Sequence, residues 1–197
     1  MDEKGFTITE LLMTLIMAAV LSAGAAFYLM GGDKGMTAHA FARKIANDVR
    51  YAQSLAMHRS GLETPQKTNP SFLYRIRFNS PDPNCPGASQ YAIVNDADNN
   101  GTWGEAPNGS GQIESARDPA TGEEYFCVSM DTGEYAGFTV SADFGGPLPG
   151  VLSFDTFGTP LDSDGVQLFS VKTISITKGG ELVLVTVTPK TGFTVVQ

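Results

Sequence analysis

The sequence predicts an α+β protein: a long N-terminal α-helix, half membrane-spanning and half amphipathic, packed on an antiparallel β-sheet domain. Three observations predict it. An apolar run extends from Phe6 to Met30. A stripe of apolar residues with helical spacing follows from Ala38 to Ala56. After that come short alternating segments separated by glycine- and proline-rich turns, the pattern of antiparallel strands. The predicted organisation is a leader over 1–5, a membrane helix over 6–30, a glycine break and amphipathic helix over 31–61, and a β-rich globular domain over 62–197.

Taken in order, the leader Met1-Asp-Glu-Lys-Gly5 is short and polar. As a helix, Phe6 to Met30 would be roughly 38 Å long, enough to cross a bilayer with some tilt. Glu10 is the anomaly in it, because an ionisable group at that depth is costly unless paired. No basic residue follows until Lys34. A free amine at Phe6, made by cutting after Gly5, would supply the missing cation. Gly31, Gly32 and Gly35 then weaken the helix by roughly 1 kcal/mol each relative to alanine. Thr37 is a candidate N-cap for the second helix. Ala38, Phe41, Ala42, Ile45, Val49, Ala52, Leu55 and Ala56 form its apolar stripe, and Arg43, Lys44, Asp48, Arg50 and Arg59 its polar face. Gly61 is the stop.

Strands are expected over Phe72–Phe78, Gln90–Val94, Tyr125–Met130, Phe138–Val140, Val151–Asp155, Val171–Thr177, Leu182–Thr188 and Phe193–Gln197. The clearest hairpin turns at Lys178-Gly-Gly-Glu181. His39 and His58 lie on the second helix without an acid or thiol partner nearby in sequence, and read as surface or half-buried residues, not ligands.

Gly5-Phe6-Thr7-Ile8-Thr9-Glu10-Leu11-Leu12 resembles the processing site of type IV prepilins and type II secretion pseudopilins. The resemblance implies a pilin-like fold, cleavage after Gly5 by a prepilin peptidase and N-methylation of Phe6. It also implies pairing of Glu10 with the terminal amine of a neighbouring subunit during assembly. The second helix is similar, more loosely, to that of the GspH/FimT branch of minor pseudopilins. Asp48, Ala52, Ala56 and Arg59 fit that pattern, while Gln53 stands where an arginine is usual. The implied protein is a minor subunit of a type II secretion pseudopilus or a type IV pilus. Its partners would be other pilins or pseudopilins, the peptidase and the membrane. The implied place is the bacterial inner membrane, single-pass, N-terminus cytoplasmic and C-terminal domain periplasmic.

Two rival readings stand beside it. A FimT-like DNA-uptake pilin would bind DNA through basic residues near its C-terminus. Here that tail has only Lys190, and the chain after Met30 carries a net charge of −6 within a total of −8, which argues against nucleic acid. The other rival is a secreted or tethered calcium-binding domain behind an ordinary signal sequence, with Ala23-Gly24-Ala25 as the cut site. An acidic leader and Glu10 inside the apolar run argue against that signal.

Asp96-Ala-Asp98-Asn-Asn100-Gly101-Thr102 has the spacing of the first half of an EF-hand-type calcium loop. Asp96, Asp98, Asn100 and Thr102 occupy the ligand places, with Glu105 as an early closing acid. The same residues also build ordinary turns, and no cofactor is required by the filament reading. Cys85 and Cys127 would close a loop of about 43 residues as a disulfide, or stand as two buried thiols. No nucleophile elbow, P-loop, dinucleotide fingerprint or zinc-protease motif is present, so no enzymatic activity is expected.

Overall fold

The computed structural model describes residues 7–30, 36–59, 74–80, 82, 84–85, 87–98, 100–109 and 111–197, with side chains except those of 24–30 and 59. The chain divides into two compact units, Met1–Gly35 and Met36–Gln197.

The first unit contains helix α1, Ile8–Met30. Thr7 caps it. Its carbonyl accepts from the backbone N–H of Leu11 (3.1 Å) and its hydroxyl from that of Glu10 (3.3 Å). Glu10 therefore sits in the first turn, where a negative charge complements the helix dipole. Leu11, Leu12, Met13, Leu15, Ile16 and Met17 are all exposed. Successive helical residues are about 100° apart, so these side chains point to every side.

The second unit begins with helix α2, Ala38–Arg59. Thr37 caps it as expected, accepting from the backbone N–H of Ala40 at 3.2 Å. The predicted stripe is buried at Ala38, Phe41, Ala42, Ile45, Val49, Ala52 and Ala56, and Leu55 is partly buried. Among the described residues nine strands follow: β1 (Arg75–Phe78), β2 (Gln90–Val94), β3 (Cys127–Ser129), β4 (Thr139–Ala142), β5 (Val151–Phe154), β6 (Pro160–Leu161), β7 (Lys172–Lys178), β8 (Glu181–Val187) and β9 (Thr194–Val196). They form two antiparallel sheets, one ordered β3-β2-β1-β5-β6 and one ordered β4-β7-β8-β9.

The β7–β8 hairpin shows how pattern becomes packing. Ile174 and Ile176 are buried on β7, and Val183, Val185 and Val187 on β8. The register pairs Ile174 with Val185 and Ile176 with Val183, so one face of the hairpin is apolar and turns toward α2. Gly179 and Gly180 make the turn with φ of 58° and 87°, values that favour glycine. Phe41 anchors α2 in the core, its ring centroid 4.4 Å from that of Phe138 in a tilted arrangement and stacked at 5.1 Å on Tyr135.

These observations correct two expectations. The architecture is not one long N-terminal helix packed on a sheet. α1 and α2 are separate helices of 23 and 22 residues in different units, and the β-rich unit holds two sheets. The physical reason is that α2 has an apolar stripe matched to the sheets, whereas α1 buries none of its described side chains. The single-pass inner-membrane placement, with the C-terminal domain periplasmic, is corrected as well. Among the described residues no helix is long and apolar enough to cross a membrane. The described helix spans Ile8–Met30, and Thr9, Glu10, Thr14 and Ser22 interrupt its apolar run.

Asp48 departs from its expected place on the polar face. It is buried, and its carboxylate accepts from Tyr91 Oη at 2.6 Å and from Lys44 Nζ at 2.9 Å. Burial pushes its carboxyl above the ordinary value, against the opposing pull of Lys44 and Tyr91. Lys44 is also held over the rings of Phe126 and Tyr135.

Candidate metal centre

The segment from Asn95 to Ala116 leaves the end of β2 and returns beside it. Val94 bridges Ser115, Asn95 N–H donates to Glu114 O (3.1 Å), and Ala116 N–H donates to Ile93 O (2.9 Å). The outgoing and returning limbs are thus fixed side by side by backbone hydrogen bonds. Between them, Trp103 stacks on the Arg75 guanidinium at 3.4 Å, and its carbonyl accepts from Arg77 (3.3 Å). Arg77 also pairs with Asp82. Burial lowers Arg75 to about 10, reinforced by the neighbouring charge of Arg77 and opposed by Asp96 and Asp164.

Asp96, Asp98 and Glu114 each present a ligand atom within 4.8 Å of the others. This cluster could hold a metal ion. Two oxygens on one calcium, each at about 2.3–2.6 Å, are separated by at most about 5 Å, so the spacing suits a shared cation. Asp96 is buried and caps the turn, accepting from the backbone N–H groups of Asn100 (3.1 Å) and Gly101 (2.9 Å). Gly101 adopts φ 86°, which lets its N–H reach that carboxylate. Burial raises the Asp96 carboxyl, these two N–H groups oppose it, and the charges of Glu114 and Asp98 raise it further.

Glu114 is fully buried. One oxygen, Oε1, accepts three hydrogen bonds, from Ala97 N (2.9 Å), Asp98 N (3.2 Å) and Asn108 Nδ2 (2.8 Å). The other, Oε2, is buried with no hydrogen-bond partner. A carboxylate oxygen in that state is costly unless something positive meets it.

Of the residues expected from the loop motif, Asp96 and Asp98 join the carboxylate cluster. Glu105 does not; it accepts from Asn100 Nδ2 at 2.7 Å. Asn100 Oδ1 is occupied by the backbone N–H of Thr102 (2.6 Å), and the Thr102 side chain is exposed. Sequence reasoning missed Glu114. It lies eighteen residues beyond Asp96, and only the pairing of the two limbs beside β2 brings it back.

Cys85 and Cys127 form a disulfide with Cα atoms 5.3 Å apart, which ties the β1–β2 connection to β3. Glu10 is exposed on the first turn of α1, while Gly5 and Phe6 lie outside the described residues, as do the Gly31–Gly35 break and Gly61. His39 and His58 are exposed, with His58 Nδ1 2.8 Å from its own helix's Ser54 carbonyl. No family model matches this chain, and neither a curated protein nor a solved structure does.

Proposed function

We propose that this chain is a subunit of a pilin-like filament, of a type II secretion pseudopilus or a type IV pilus, cut after Gly5 by a prepilin peptidase. The observation that carries this reading is α1. It is a two-part feature: apolar side chains exposed all round, and one carboxylate, Glu10, among them. A helix that is apolar on every side needs burial that its own unit, Met1–Gly35, does not provide. Identical helices of neighbouring subunits would provide it, and a neighbour's terminal amine at Phe6 would neutralise Glu10. The motif Gly5-Phe6-Thr7-Ile8-Thr9-Glu10 supports the same assembly. The role is mechanical, and no catalytic chemistry enters it.

Glu10 also has a local role, as an acid in the first helical turn. The two roles separate by experiment. Glu10→Ala should lose incorporation into filaments while cleavage continues and the circular dichroism of the purified chain changes by no more than a frayed turn. Normal incorporation of that variant would sink the pairing.

The acidic cluster supports a second, compatible reading. All three side chains offer hard oxygen donors on an irregular loop, which suits calcium better than softer transition metals. In this account calcium is a structural ion of the β-rich unit. A rise in melting temperature on adding calcium to the chelator-treated chain tests it.

A further inference from the structure

We propose that the cation is clasped between the two limbs at the end of β2, by Asp96 and Asp98 on the outgoing turn and Glu114 on the return, and not by a continuous Asp96–Glu105 loop. This rests on the calcium reading above and specifies its ligands. Three observations carry it. First, the three carboxylates converge within 4.8 Å although Glu114 is remote in sequence. Second, Glu114 Oε1 is saturated by three donors while Oε2 is buried and unpartnered, so the side chain is held rigidly with one oxygen spare. Third, Glu105, the closing acid of a continuous loop, is engaged with Asn100 and stands outside the cluster.

The consequence is a cross-link. An ion joining Asp98 to Glu114 closes the whole excursion that contains Trp103, the only tryptophan of the chain. Trp103 is packed on Arg75 of β1, so the ion fixes the limbs and the stacked ring fixes the tip. Without the ion, three acids crowd each other and the Glu114 oxygen is uncompensated. Binding should therefore order the excursion between 98 and 114 and protect it from proteolysis.

The test uses the purified full-length chain after removal of metal by a chelator. Calcium is titrated by calorimetry, and terbium, a calcium stand-in, by luminescence excited through Trp103. The variants are D98N, E114Q and E105Q. D98N and E114Q should weaken calcium at least about 10–100-fold, the loss seen even for groups that only support a ligand. E105Q should stay within about 3-fold of the parent, since its side chain is outside the carboxylate cluster. If E114Q proves unfolded without metal, D98N decides, because Asp98 is half-buried and among the described residues its side chain accepts from Asn100 alone. Parent-like binding by D98N and E114Q, with loss in E105Q, would overturn the clasp and leave the calcium reading standing. No terbium signal and no calcium-dependent thermal shift in the parent at about 5 mM, above the weak end of known protein sites, would overturn both.

Discussion

Removing the Cys85–Cys127 cross-link should destabilise the β-rich unit by about 4 kcal/mol. The two residues are 42 apart in sequence, so the bridge closes a loop of about 43 residues in the unfolded chain. The chain-entropy relation gives about 13 cal/mol/K for a loop of that size, or about 4 kcal/mol at 25 °C. The unit spans Met36–Gln197, and at about 2.1 cal/mol/K per residue that loss lowers its melting temperature by about 12 °C. The structural context adds to the effect. Cys127 is on β3, an edge strand of three residues, and Cys85 is fixed in the β1–β2 connection through a bridge to Asp82. The paired variant Cys85→Ala with Cys127→Ala, and the parent with and without dithiothreitol, would be unfolded in urea and by heat. The midpoint should fall in both comparisons, and the slope should rise as the unfolded state expands. A change below about 1 kcal/mol in both would refute the reasoning, because it would mean that the unfolded chain is not constrained by this loop.

Further outcomes follow from packing and charge. Phe41→Ala should cost about 3–5 kcal/mol, since the ring is fully buried against Phe138 and Tyr135; urea unfolding measures it. Gly150→Ala would bring a methyl group within 2.6 Å of the Phe78 carbonyl oxygen, a backbone atom, and should cost about 1–3 kcal/mol. Gly109→Ala meets nothing within 4 Å and should stay within about 0.5 kcal/mol of the parent. Asp48 should show an inverted pH dependence. Its folded carboxyl is raised above 3.8, so the folded state takes up a proton at higher pH than the unfolded chain. Ionised Asp48 therefore burdens the fold at neutral pH, and the burden lifts as pH falls through the raised value toward 3.8. Relative to Asp48→Asn, the parent should gain stability between pH 7 and 4; a relative loss over that range would show that the Lys44 pair dominates instead.

Local structure was legible where periodicity and turn chemistry agree. The α2 stripe from Ala38 to Ala56 is the buried face, because 3.6-residue spacing places those side chains on one side. The Gly179-Gly180 turn set the β7–β8 register, and alternation then put Ile174, Ile176, Val183 and Val185 inside. What local pattern does not carry is long-range pairing. β1 lies next to β5, more than seventy residues later, and nothing in either segment announces that neighbour or the division into two sheets. β6 is two residues, Pro160–Leu161, too short for alternation to show. Asp48 read as solvent-facing because its partner Tyr91 is 43 residues away. The metal cluster divides in the same manner: Asp96 and Asp98 stand two residues apart and show in the motif, while Glu114 arrives through sheet pairing. For α1 the apolar composition was plain, and the described helix is not long and apolar enough to cross a membrane.

The filament account is tested most directly by the mature N-terminus. Mass spectrometry of the protein from producing cells, with and without prepilin peptidase, would read it. The account predicts a chain beginning at N-methylated Phe6 only when the peptidase is present. A chain beginning near Ala26, or an unprocessed Met1 terminus unaffected by the peptidase, would contradict it.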